Sequence, residues 1–410
     1  MAFIMNEMLE HCRKLALNVL KPSKKDLEHG LELHRDSLVW DAYGFAPSGW
    51  VRDSVQQVIQ DGATNDEAND EFEYGYLYRV LNNPQLWQEA MECWETAGVD
   101  CIFQNSGVES NSVGDLIKRL SYFTAMVDHH SNDLMRAVFP QKVIEAKKQQ
   151  KHSLYFTTNG VPLTDNLFSA EEALRYIRIF ANFGVRMMHM TYNRRNLLGD
   201  GCAERADAGL SDLGRKAVAE MNRYGIIPDV AHSGQQTSFE TAQCSKLPVV
   251  ASHTVVGGLS SHYRAKRDDV MKAIAASGGF VGICCHPPFL RGSGMIDSFL
   301  DHIDYAVSLL GADHVAIGTD HYNPVHPDGK MPDFVKSRRI FESFWPEPED
   351  NFEMTDEMYD CVAWTNWPLF TVGLVQRGYS DDDIRKIIGL NVLKVTETSW
   401  QGREKLYDEE

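Results

Sequence analysis

Eight short apolar runs punctuate the chain, most of them bounded by turn-forming or charged residues. They are SLVWDAY (37–43), VDCIFQN (99–105), SLYFTTN (153–159), RMMHMTY (186–192), IIPDVAH (226–232), PVVASH (248–253), GFVGICC (279–285) and HVAIGTD (314–320). Runs of this length predict buried strands. Between most of them apolar residues recur at helical spacing. AEEALRYIRIFANFG follows Ser169, a good N-cap, and SDLGRKAVAEMNRYG is opened by Ser211 and closed by Gly225; DDVMKAIAASGG and SFLDHIDYAVSLLG have the same character. Alternation of buried strand and amphipathic helix predicts parallel βα units. Eight of them predict one (β/α)8 TIM barrel over residues 37–400.

Outside that repeat the pattern changes. MAFIMNEMLEHCRKLALNVL predicts an amphipathic helix ended by Pro22, within an N-terminal helical extension at 1–36. Glu7, Glu10, His11, Arg13 and Lys14 break its apolar stretch, which excludes a secretory signal. No run is long and apolar enough to span a bilayer. Two long inserts are expected, at 45–98 after the first strand and at 321–365 after the last, with a tail at 401–410. Both inserts leave from C-terminal strand ends, where barrel enzymes build their sites, and would serve as lids or oligomer contacts. The acidic DGATNDEANDEFEYG within the first reads as a solvated loop.

A formal net charge of -18 excludes a general nucleic-acid binder and an anionic-membrane binder. The eight cysteines form no CxxC pair, so they read as free thiols of a reducing compartment, and the cytoplasm is the expected location.

Candidate chemistry gathers at the strand ends. Strand four ends in Tyr192 and Asn193, strand five in His232, strand six in His253, and strand eight in Asp320 followed by His321. A barrel brings these positions to one rim. Two imidazoles and a carboxylate are the donor types of a catalytic zinc or similar ion, and a carboxylate on the last strand can also carry a proton. His189 and His286 have no such partners in the pattern and read as core or loop residues. Glu109 reads as structural, through a capping-box spacing from Ser106.

The run GVRMMHMTYNRRNLLGDGCAERADAGLSDLGRKAVAEMNRYGIIPDVAHSG, then PVVASHT, SHYRAKRDDV, GTD and GLNVLKV, resembles the renal (membrane) dipeptidase family of metal-dependent peptidases. The resemblance implies an amidohydrolase-like barrel, two metals (usually zinc) at its mouth, and a homodimer. It implies that His232 and His253 are metal ligands, that Asp320 handles the proton, and that Arg264 grips a substrate carboxylate. It also locates departures. Tyr43 and Phe45 replace a His-x-Asp ligand pair, Thr158 replaces a bridging Glu, and Tyr192 replaces a carbonyl-polarising His.

The expectation is therefore a hydrolase with one divalent metal, zinc, held by His232, His253 and Asp320. It would act on a small carboxylate-bearing amide, with Asp320 and Tyr192 catalytic and Arg264, Tyr43 and Asn193 contacting substrate. A metal-free lyase or isomerase using the same rim residues, or a non-catalytic binding protein, is the alternative.

Overall fold

Apolar strand segments shielded on both sides need a closed or covered sheet, and the eight runs fold into one. The structure, a computed structural model, describes residues 2–47, 60–62, 79–107, 111–164, 169–321 and 352–404, with side chains from Glu7 onward. Of the inserts and tail expected at 45–98, 321–365 and 401–410, residues 45–47, 60–62, 79–98, 321, 352–365 and 401–404 are described, with helices at Arg79–Asn82, Pro84–Ala97 and Asp356–Cys361; the rest lie outside. Among the described residues the strands are β1 (Trp40–Gly44), β2 (Cys101–Asn105), β3 (Leu134–Ala137), β4 (His152–Thr158), β5 (Met187–His189), β6 (Ile227–Asp229), β7 (Ala251–Val256), β8 (Ala265–Lys266), β9 (Val281–Ile283) and β10 (Val315–Ile317).

The order β1-β2-β4-β5-β6 continues through a parallel bridge between Asp229 and Val250 into β7-β9-β10, all parallel. The seam closes where the Asp320 amide donates to the Tyr43 carbonyl at 2.9 Å. These eight strands form the (β/α)8 barrel. The short β3 and β8 are additions, pairing with β4 and β7. No described helix is long and apolar enough to cross a membrane.

Side chains alternate across a strand, so Met187 and His189 share the inner face of β5, as Ile227 and Asp229 share that of β6. Met187 and Ile227 belong to the apolar plug that fills the barrel with Trp40, Phe103, Tyr155, Val250 and Phe280. Trp40, Phe103 and Tyr155 meet at ring-centroid distances of 5.0–5.6 Å. His189 and Asp229 therefore sit one layer above this plug, toward the mouth. A second apolar cluster packs the helices against the barrel's outside.

Glycines fix the position of β7. A Cβ at Gly282 or Gly318 would fall 1.9 or 2.0 Å from the Ser252 carbonyl oxygen, so only glycine allows the neighbouring backbones this close. That contact sets the strand that carries His253.

The predicted helix starts hold at Ser169, which accepts from the Glu172 amide, and at Ser211, which accepts from the Gly214 amide. Gly225, at φ 66°, ends the latter helix. The helix Val113–His129 corrects the sequence reading. Its cap is Ser112, which accepts from the Asp115 amide, whereas Ser106 donates to the Thr157 carbonyl at 2.9 Å. The earlier Ser lost because its hydroxyl is needed between strands; Glu109 lies outside the described residues.

Candidate active site

Most of the rim residues expected from the sequence converge at the C-terminal end of the barrel. His232 follows β6 and His253 lies within β7, both fully enclosed. Their Nε2 atoms face each other at 2.9 Å. Each Nδ1 is anchored: that of His232 lies 2.7 Å from Asn193 Oδ1, and that of His253 lies 2.7 Å from Ser252 Oγ, whose own proton goes to Asp229 Oδ2. Hydrogens on both Nδ1 atoms leave both Nε2 lone pairs facing one space; a hydrogen on either Nε2 makes their contact an N–H···N hydrogen bond. Burial first, and the neighbouring Arg264 guanidinium second, push both imidazoles well below their ordinary pKa. They are neutral, which is the form that binds a metal.

Asp320 stands opposite. Its Oδ2 lies 3.9 Å from His253 Nε2 and 3.0 Å from His286 Nε2. Its backbone sits at φ 54°, as does that of Asn193, in the left-handed region that Asn and Asp tolerate better than other side chains. His321, next along, turns away to bond the Cys285 carbonyl at 3.0 Å.

Two tyrosines line the histidines. Tyr192 stacks on His232 at 4.1 Å between centroids, and Tyr43 stacks on His253 at 3.7 Å. The Tyr43 hydroxyl donates to Asn159 Oδ1 at 2.5 Å. Arg264 is buried beneath the site, donating from Nη2 to the His253 carbonyl at 2.8 Å and from Nε to the Ala231 carbonyl at 3.3 Å. Its guanidinium lies over the Phe289 ring at 5.3 Å. The local charges do not behave alike. Arg267 pairs with Asp269 on the surface at 2.9 Å, but Lys266 is buried, donating to the Ser233 carbonyl and to Ser238 Oγ.

The structure also brings in residues that the sequence reading left in the core. His189 is fully buried, with its Nε2 at 2.7 Å from Asp229 Oδ2. His286 is the partner of Asp320 rather than a bystander. The signal for His189 and Asp229 was present: each is a charged or polar residue inside an otherwise apolar strand run, and such residues seldom lie buried without a reason.

The comparisons agree with this geometry. A model of the membrane dipeptidase family (peptidase family M19) matches residues 33–345. The chain belongs to the membrane dipeptidase family. Among relatives, an uncharacterized dipeptidase of Schizosaccharomyces pombe is 27% identical over 274 residues, 62% of this chain and 64% of that protein. The dipeptidase verJ of Clonostachys rogersoniana is 30% identical over 225 residues, 54% of this chain and 50% of that protein. The chain thus spans about half to two thirds of these relatives' length. The crystal structure of an amidohydrolase from Pseudomonas aeruginosa superposes with a TM-score of 0.66 at 26% identity, covering 91% of this chain and 99% of the other.

For a membrane dipeptidase the mouth is lopsided. The donors His232 and His253 fit a metal. Tyr43, Phe45 and Thr158 do not: a phenyl ring has no donor, the Tyr43 hydroxyl is committed to Asn159, and Thr158 Oγ1 donates to the Gly160 carbonyl at 2.8 Å.

Proposed function

We propose that the chain is a single-metal hydrolase of a small amide or related compound that bears a carboxylate. The observation that carries this reading is the pair of anchored imidazoles. With both hydrogens on Nδ1, the two Nε2 lone pairs meet at 2.9 Å, a placement that a cation accepting both would relieve. Zn–N bonds of about 2.0–2.1 Å set two ligating nitrogens about 3.3 Å apart in a tetrahedral shell, so a small outward shift of the rings would admit the ion. Hydrogen bonds at Nδ1, to Asn193 and Ser252, are the support that ligating histidines have. Asp320 completes the donor set. The ion, zinc by family habit, would supply Lewis acidity and an acidic water.

The remaining work falls to this chain's own groups. Asp320, oriented by His286 at 3.0 Å, takes a proton from water and returns it to the leaving group. Tyr192, held flat against His232, places a phenol at the rim to donate to a developing oxyanion. Arg264 offers Nη1 to a carboxylate, its other nitrogens being pinned to backbone carbonyls. Ordinary dipeptides are poor substrates, because the positions for a second ion and its bridge carry Tyr43, Phe45 and Thr158. The Asp320–His286 pair also supports a second reading, a metal-free lyase or isomerase working by proton transfer.

Elemental analysis of untreated protein, with turnover of a panel of small carboxylate amides before and after chelation, tests the proposal. About one divalent ion per chain and chelator-sensitive hydrolysis are expected. Metal-free protein that still turns over a substrate would shift the assignment to the second reading.

A further inference from the structure

We propose that His189 is a metal ligand in this chain, and that with Asp229 behind it the site is completed from inside the barrel, leaving Asp320 free for the proton. The inference rests on the single-metal reading above and changes which residues hold the ion.

The geometry begins with the register. His189 on β5 pairs directly with Asp229 on β6, and both side chains point into the barrel one layer above the apolar plug. One donor atom from each of His189, Asp229 and His253 lies within 4.8 Å of the others, the one such group of His, Cys, Asp or Glu donors among the described residues. The His189 ring centroid is 5.1 Å from that of His232 and 5.3 Å from that of His253, and those two are 4.9 Å apart. Three imidazoles therefore stand around one small volume at nearly equal spacing.

The bland alternative is a buried histidine–carboxylate hydrogen bond. The contact is at an ion-pair distance of 2.7 Å and, against burial, holds the Asp229 carboxyl low, yet neither ring nitrogen of His189 meets hydrogen-bond geometry with any partner among the described residues. A fully buried imidazole left in that state is costly. A cation held by the His189, His232 and His253 rings, with Asp229 behind His189, would give one His189 nitrogen a partner. Asp229 is built for the position. Its Oδ1 accepts the amides of Ala231 and Ser252, and its Oδ2 accepts the Ser252 hydroxyl that anchors His253. One carboxylate thus braces two of the three rings. β1 and β4 offer no such donors at Tyr43, Phe45 and Thr158; β5 supplies one that lies deeper.

The test uses the full chain, stripped with chelator and titrated with zinc, comparing His189→Gln and Asp320→Asn with the parent. His189→Gln is expected to weaken zinc at least about tenfold, and Asp320→Asn to leave binding nearly unchanged while abolishing turnover. X-ray absorption of the zinc-loaded parent gives a second readout that needs no variant to fold: three imidazoles are expected in the shell. Two imidazoles, or zinc affinity lost in Asp320→Asn and kept in His189→Gln, would overturn the inference while leaving the single-metal reading in place. A parent chain that takes up no zinc would overturn both.

Discussion

The two sides of the barrel mouth have been treated differently. On the side of β6 and β7, His232 and His253 keep their Nδ1 atoms anchored and their Nε2 atoms convergent. On the side of β1 and β4 stand Tyr43, Phe45 and Thr158, which offer a metal little. This second side is not a worn version of the first. Tyr43 stacks on His253 and bonds Asn159, and Thr158 is satisfied by Gly160. Strand one even keeps a carboxylate, Asp41, but uses it to bind the Thr319 hydroxyl at 2.6 Å and the Trp364 indole at 3.0 Å. Polar groups abandoned by a lost ion would be left unpaired in a dry interior; here they are paired. The difference teaches that the donor-poor side was rebuilt as a wall, and that the donor-rich side is what any ion would see.

The sharpest way to break this comparison is His253→Ala. It removes the one residue shared by the stacked tyrosine, the facing imidazole and the inner cluster. Zinc affinity is expected to fall by more than about a hundredfold, beyond what loss of an outer partner costs, as read by competition with a chelating dye. Retained affinity would mean that the ion sits elsewhere.

The next effect belongs to the wall. Burial raises Asp41 to about 6, against the hydrogen bonds from Thr319, Trp364 and Tyr43. A carboxyl raised in the folded state contributes stability that is fully present below its unfolded pKa, near 4, and is lost as pH rises toward 6. The contribution amounts to about 3 kcal/mol. Denaturant unfolding of Asp41→Asn should therefore show a flatter stability profile between about pH 4 and 6 than the parent. A parent profile already flat over that window would show that Asp41 is ionised without cost.

The smallest effect sharpens the donor side. Arg264→Lys keeps a cation but cannot hold two carbonyls and a substrate carboxylate together. Binding of a small carboxylate, by thermal shift or calorimetry, should weaken about tenfold with the fold retained. Equal binding by Lys would reduce Arg264 to a strut beneath His253.

Much of this was legible before any coordinates. The eight strands, the caps at Ser169 and Ser211, and the positions of His232, His253, Asp320 and Arg264 follow from period, turn residues and motif order. His189 did not, for a physical reason. Its partner Asp229 lies 40 residues on, and only strand register sets the two side by side. His286 reads as a core or loop residue in the sequence because its partner Asp320 comes from a different strand end. The cap at Ser112 was missed because two serines compete for one helix start, and an interstrand bond at Ser106 decides between them. The strands β3 and β8 were invisible, being four and two residues long.

The amide that closes the barrel belongs to Asp320, the residue whose carboxylate faces His253. The joint between last strand and first and the proposed proton carrier are therefore a single residue. Any fluctuation that frays this joint withdraws the carboxylate, even while the rest of the barrel stays folded. The loss of activity on warming would then follow the opening of one seam rather than the melting of the whole chain. Amide exchange at Asp320 would track the enzyme's working fraction more closely than any global melting curve.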